Sequence, residues 1–148
     1  MSSKFKYLKE QFAAGLIDKP DFISQALEAH NGLFEYSQIM QTTDIREIRI
    51  TKFGVCFHIG DEGIWLYAPE NESRVAPIEI LNFGKYEPYE TKVMDLLSAD
   101  AQHILDVGAN IGWYSVRFAK RYPQSQIYSF EPLNIPHVPL KDDLEESS

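Results

Sequence analysis

HILDVGANIGWYSVRFAKRYPQSQIYSFEP, residues 103–132, is the stretch that decides the fold. His103 to Val107 form a short apolar run of the kind that makes a buried strand, and the run feeds directly into Gly108, Ala109, Asn110, Ile111 and Gly112. Trp113, Tyr114, Val116, Phe118, Ala119 and Tyr122 then follow a helical period. Arg117, Lys120 and Arg121 are expected toward solvent, and Pro123 stops the helix. Gln126 to Phe130 predict a second strand, closed by Glu131 and Pro132. Strand, glycine loop, helix and strand make one βαβ unit, so the fold class is α/β: the start of a Rossmann-like, doubly wound parallel sheet.

In such a unit the carboxyl ends of the strands share one edge with the helix amino terminus, and ligands bind there. Gly108 and Gly112 let the main chain turn sharply and approach a ligand, while Asp106 can order the loop or accept a ligand hydrogen bond. Glu131 ends the second strand, where an acid accepts the hydroxyls of a ribose, a pairing that favours an adenosine ligand. A dinucleotide fingerprint wants glycine where this chain has Asn110, which demotes a nicotinamide cofactor.

DVGANIG, the Trp-Tyr-Ser helix start, SFEP and the aromatic, acidic lead-in FGKYEPYE together resemble the FkbM family of class I S-adenosylmethionine-dependent methyltransferases. The resemblance covers about Asn82 to Pro132. It implies that S-adenosylmethionine is the cofactor, with Asp106, Gly108, Asn110 and Gly112 lining its methionine part and sugar side and Glu131 binding the ribose hydroxyls. It also implies O-methylation of a hydroxyl on a sugar, glycan or small natural product. No catalytic base is identified. Glu87 and Glu90 could reach the methionine end from the preceding helix, but acids at a helix start ordinarily just favour its dipole, and they are left out of the site.

Upstream, Phe5, Leu8 and Phe12, then Phe22, Ile23, Ala26, Leu27 and His30, predict two short helices, the second ending or breaking at Asn31 and Gly32. From Asp44 the period becomes two: Ile48 and Ile50, then Val55, Phe57 and Ile59, then Ile64 and Leu66 opposite Trp65 and Tyr67. Gly54 and the run Gly60 to Gly63 supply the turns of a β meander. Trp65 and Tyr67 read as packing residues rather than a stacking platform. Val93, Met94 and Leu97 mark a helix from Glu87 to Leu97. The expected domains are 1–81 (helices and meander), 82–132 (a partial methyltransferase domain) and 133–148 (an extended or disordered tail).

A net charge of -8 gives no basic field to attract phosphate backbones or anionic membrane surfaces, so neither nucleic acid nor membrane is an expected partner. His30, His58, His103, His137 and Cys56 lack metal-ligand spacing, and no metal is expected. One cysteine forms no internal disulfide and the first residues carry no apolar signal segment, so the expected location is cytoplasmic. The sequon at Asn71 is read as chance.

A complete doubly wound domain needs several more strands and helices than Leu133 to Ser148 can supply, so the chain reads as an amino-terminal fragment of such an enzyme. An incomplete sheet with uncovered faces invites a homo-oligomer or a protein partner. The competing reading is therefore a non-catalytic adaptor that retains a relic cofactor-binding unit.

Overall fold

The structure is a computed structural model and describes residues 4–133. The expected tail beyond Leu133 lies outside the described residues. The chain is an α/β protein of two compact units, divided between Gln41 and Thr42.

The first unit is a helical hairpin of α1 (Lys4–Ala13) and α2 (Lys19–Ile39). Asp18 caps α2 by accepting the Asp21 N–H at 2.8 Å, and Pro20 lies in the first turn, where its missing N–H costs nothing. Phe12 stacks on Phe22 at 4.9 Å and Phe5 meets His30 at 4.8 Å, so the two helices run antiparallel around the buried Leu8 and Ala26. The expected break at Asn31 and Gly32 is corrected: α2 continues through both to Ile39. Neither residue adopts a positive φ there, and a mid-helix glycine costs only about 1 kcal/mol, which does not end a long helix. Ile23 and Leu27, read as part of the apolar stripe, are exposed.

The second unit begins with the meander of β1 (Ile45–Thr51), β2 (Gly54–Ile59) and β3 (Ile64–Ala68), antiparallel in the order β1-β2-β3. Phe57 pairs with Leu66 and Ile59 with Ile64, which puts their side chains on one face. That face is buried together with Val75, Ala76 and Ile80 of the segment carrying α3 (Ala76–Phe83). Glu47, Arg49, His58 and Trp65 alternate to the other face. There Trp65 stacks on His58 at 4.9 Å and lies under the Arg49 guanidinium at 4.4 Å, so its ring is engaged by its own sheet. The Tyr67 ring lies over Gly54, where a Cβ would come within 2.2 Å of it.

Helix α4 (Pro88–Ser98) leads into β4 (His103–Val107), α5 (Trp113–Arg121) and β5 (Gln126–Phe130). β4 and β5 pair in parallel, with Asp106 opposite Ser129 and Val107 opposite Phe130. The meander belongs to the same compact unit as this βαβ motif, and residue 81, the end of the expected first domain, lies inside α3. Glu62 at the β2–β3 turn accepts Arg121 of α5 at 2.6 Å, one of the links between the two sheets' elements.

The solvent-facing reading of Arg117 is also corrected. Its side chain is buried and makes a two-pronged bond to Asp95 of α4, at 2.5 and 2.8 Å. Arg117 holds the Asp95 carboxyl below the usual carboxylate range, against the opposing pull of burial. A guanidinium fork satisfied on both prongs is the arrangement in which a charge tolerates burial.

Candidate functional site

β4 ends at Val107, and the chain then turns over Gly108 (φ 81), Asn110 (φ 51) and Gly112 (φ 84) before α5 begins. No described atom stands within 4 Å of a Cβ built on Gly108, and only a Val116 methyl at 3.9 Å meets one on Gly112. Glycine is therefore required at both positions by the left-handed backbone rather than by crowding from the chain itself. Asparagine tolerates that region better than other side-chain-bearing residues, which suits position 110.

The loop amides are largely spent on the chain. Gly108 and Ala109 N–H both donate to the Phe130 carbonyl, at 2.8 and 3.1 Å, and Gly112 N–H donates to the Ala109 carbonyl at 2.8 Å. Asn110 N–H donates to Glu131 Oε2 at 2.8 Å, while Glu131 Oε1 accepts the Leu133 N–H at 2.7 Å. Glu131 is thus fixed by two main-chain donors, one on each oxygen. A carboxylate offers about four lone-pair sites, so each oxygen keeps capacity for one more donor.

Asp106 faces the other way, into the contact between strand pair and helix. Ser115 Oγ donates to Asp106 Oδ2 at 2.5 Å, and Ser129 Oγ donates to Ser115 Oγ at 2.5 Å. This chain of bonds ties β4, the first turn of α5 and β5 together. Of the five sequence-selected residues, Asn110 and Glu131 are in direct contact, Gly108 and Gly112 shape the loop between them, and Asp106 anchors the helix start behind it. The serines were missed by sequence reasoning. The signal for Ser129 was its place opposite Asp106 in a parallel register, where a small hydroxyl can join a buried-side acid.

Glu87, set aside on sequence, takes part in this end of the molecule. It precedes α4 with φ 41, a left-handed conformation uncommon for a residue with a side chain, and it is half-buried. Tyr114 Oη donates to its Oε2 at 2.6 Å. The start of α4 therefore meets the start of α5, while Asp95 further along α4 meets Arg117 and Tyr122 further along α5. The two helices run side by side in the same direction, so Glu87 sits at the same end as the glycine loop. Tyr86 packs edge-on to Trp113 at 5.9 Å and lies 6.3 Å from Tyr114. Burial, with the Glu87 charge as the next cause, pushes the Tyr86 phenol up to about 12. Burial and the Glu87 hydrogen bond likewise raise that of Tyr114.

Glu90, also set aside, is exposed in the first turn of α4, where its charge favours the helix dipole. Among the described residues no group of three or more histidines, cysteines and acids is arranged to hold a metal ion, and no helix is long and apolar enough to cross a membrane. Searches of protein-family models, of curated proteins and of solved structures find no match to this chain.

Proposed function

We propose that the chain carries the cofactor-binding unit of an S-adenosylmethionine-dependent methyltransferase of the FkbM type, acting on a hydroxyl of a sugar, glycan or small natural product. The observation that carries the reading is the hydrogen-bond state of the loop: the amides of Gly108, Ala109, Asn110 and Gly112 already have acceptors within the chain, and what the loop end offers is the Glu131 carboxylate. A phosphate-binding loop relies on free main-chain donors, which these four positions do not offer. Asn110 stands where a dinucleotide fingerprint has glycine, so a nicotinamide dinucleotide, whose ribose would use an acid at the same strand end, is the weaker fit. A ligand with a vicinal diol and positive charge fits, because each Glu131 oxygen retains a lone pair for a ribose hydroxyl.

When bound, S-adenosylmethionine supplies an electrophilic methyl group on a positively charged sulfur. Glu131 would hold the ribose hydroxyls, with Gly108, Asn110 and Gly112 giving the bend that lets the backbone come close. Asp106, through Ser115 and Ser129, keeps the loop and helix start rigid, so the position of the bound group is defined before an acceptor arrives. The acceptor class rests on the family resemblance.

Calorimetric titration of the folded chain with S-adenosylhomocysteine is the test, with NADH as comparator. Saturable binding of the first and not the second is expected. Glu131→Ala removes acceptors for two hydroxyls and should weaken binding by about 1.5–3 kcal/mol, roughly 10- to 150-fold. Far-UV circular dichroism establishes that each variant is folded. Absence of saturable binding by the folded wild-type chain sinks the proposal.

A second reading has its own observation. Leu105, Val107, Tyr128 and Phe130 share the face of the parallel pair opposite α5, and all four are exposed. A parallel sheet ordinarily has both faces covered, so an interaction module that uses this face is the alternative.

A further inference from the structure

Beside the glycine loop lies a group of side chains that the ribose-binding role of Glu131 does not use. Trp113 follows Gly112 directly, Tyr114 comes next, and α4 brings Tyr86 and Glu87 against them. Tyr86 and Trp113 meet at an interplanar angle of 76°, so the ring that presents its edge keeps both faces clear of the other. All four residues are partly exposed, so the group borders solvent at the loop end rather than lying inside the core. The Trp113 Nε1–H is buried and has no acceptor among the described residues, which leaves the indole held by ring contacts rather than by a hydrogen bond. No acid lies in the first turn of α5, so Glu87 brings a negative charge to this helix start from the neighbouring helix.

A sulfonium centre carries no N–H or O–H, so no carboxylate can read it by a hydrogen bond. What recognises such a cation is the negative face of an aromatic ring, reinforced by a formal charge nearby. We propose that Tyr86, Trp113 and Tyr114, with the Glu87 carboxylate held by the Tyr114 hydroxyl, form an aromatic subsite that recognises the positive charge of the cofactor's sulfonium. The inference rests on the function proposed above and deepens it: Glu131 reads the sugar, whereas this group distinguishes the charged, methyl-bearing ligand from the neutral thioether left after transfer. Such a division favours release of the spent cofactor, since its loss of charge removes the attraction.

The test compares the affinities of S-adenosylmethionine and S-adenosylhomocysteine for the whole chain and for Glu87→Gln and Tyr86→Leu, by calorimetry. Glu87→Gln keeps an acceptor for the Tyr114 hydroxyl while removing the charge, so it separates electrostatics from folding. The wild-type chain should prefer the sulfonium by roughly 2- to 30-fold, the range of an aromatic–cation contact from exposed to desolvated. Each variant should bring that ratio toward one while holding thioether affinity within about 2-fold, a change smaller than loss of one ordinary hydrogen bond. Equal wild-type affinities, or a ratio unchanged in both variants while the thioether still binds, overturn the subsite and leave the proposed function standing. Failure of the folded wild-type chain to bind either compound removes the proposed function, and the subsite with it.

Discussion

At Tyr86 and Tyr114 two phenols are half-buried beside one carboxylate, and both resist ionisation because the phenolate would be poorly hydrated and would face Glu87. Tyr86 is raised from 10.0 to about 12. A group whose folded value is raised favours the folded state below its unfolded value, and that contribution disappears as pH rises through the folded one. Both contribute fully at neutral pH; Tyr86 loses its effect between about pH 10 and 12, and Tyr114, raised further, loses its own at higher pH. Absorbance titration at alkaline pH should show two tyrosines ionising later than the rest, with Glu87→Gln moving both earlier. If the Glu87→Gln curve matched that of the wild type, the carboxylate would have no part in the shift. Glu87 was visible in FGKYEPYE as an acid at a helix start, yet its role depends on a hydroxyl 27 positions away, which no local pattern announces.

Among the elements, α4 and α5 are held in register by Asp95 and Arg117, whose side chains are 19% and 8% exposed. Neutralising Asp95 leaves Arg117 with only the longer contact to Glu62 at 3.9 Å, so Asp95→Asn should destabilise the second unit by about 1.5–3 kcal/mol in chemical denaturation. The Asp95 value is lowered by Arg117, so the pair's contribution is present above the ordinary carboxylate range near about pH 4 and is lost as pH falls through the folded value. Stability of the wild-type chain should thus fall on acidification by more than that of Asp95→Asn. Arg117 looked like a solvent-face residue because helical periodicity assumes a helix covered on one side only. Here α5 also has α4 along its flank, and a cation at the flank becomes buried. The same limit explains α2: Asn31 and Gly32 permit a helix end but do not compel one.

For the molecule as a whole, burial is uneven. Ile59, Ile64, Val75 and Ile80 are almost fully enclosed between the meander and α3, whereas Leu105 is 64% and Val107 78% exposed on the strand pair. Ile80→Ala should cost about 2–5 kcal/mol, because it opens a cavity in a packed core. Leu105→Gln should change stability by no more than about 0.5 kcal/mol, and where the open face joins copies of the chain it should also delay elution on size exclusion. Identical elution of Leu105→Gln and wild type at high concentration would show that the face joins no copies of the chain. The compact units divide at Gln41 and Thr42, and contacts among the meander, α3 and α5 hold the second together.

Periodicity and turn chemistry made the meander, the helix before β4 and the strand–loop–helix–strand order of residues 103–132 legible, since each depends on neighbours a few positions apart. The positive φ values at Gly108 and Gly112 belong to the same class, because the Cβ of an ordinary residue disfavours that backbone region, whereas the positive φ of Asn110 was not read from the sequence. Tertiary structure decided which groups meet: Glu131 with the Asn110 amide, Asp106 with Ser115, Glu87 with Tyr114, and Arg117 with Asp95. These contacts arise from strand register and from the side-by-side packing of α4 and α5, and a linear pattern carries no record of which residues such packing brings face to face.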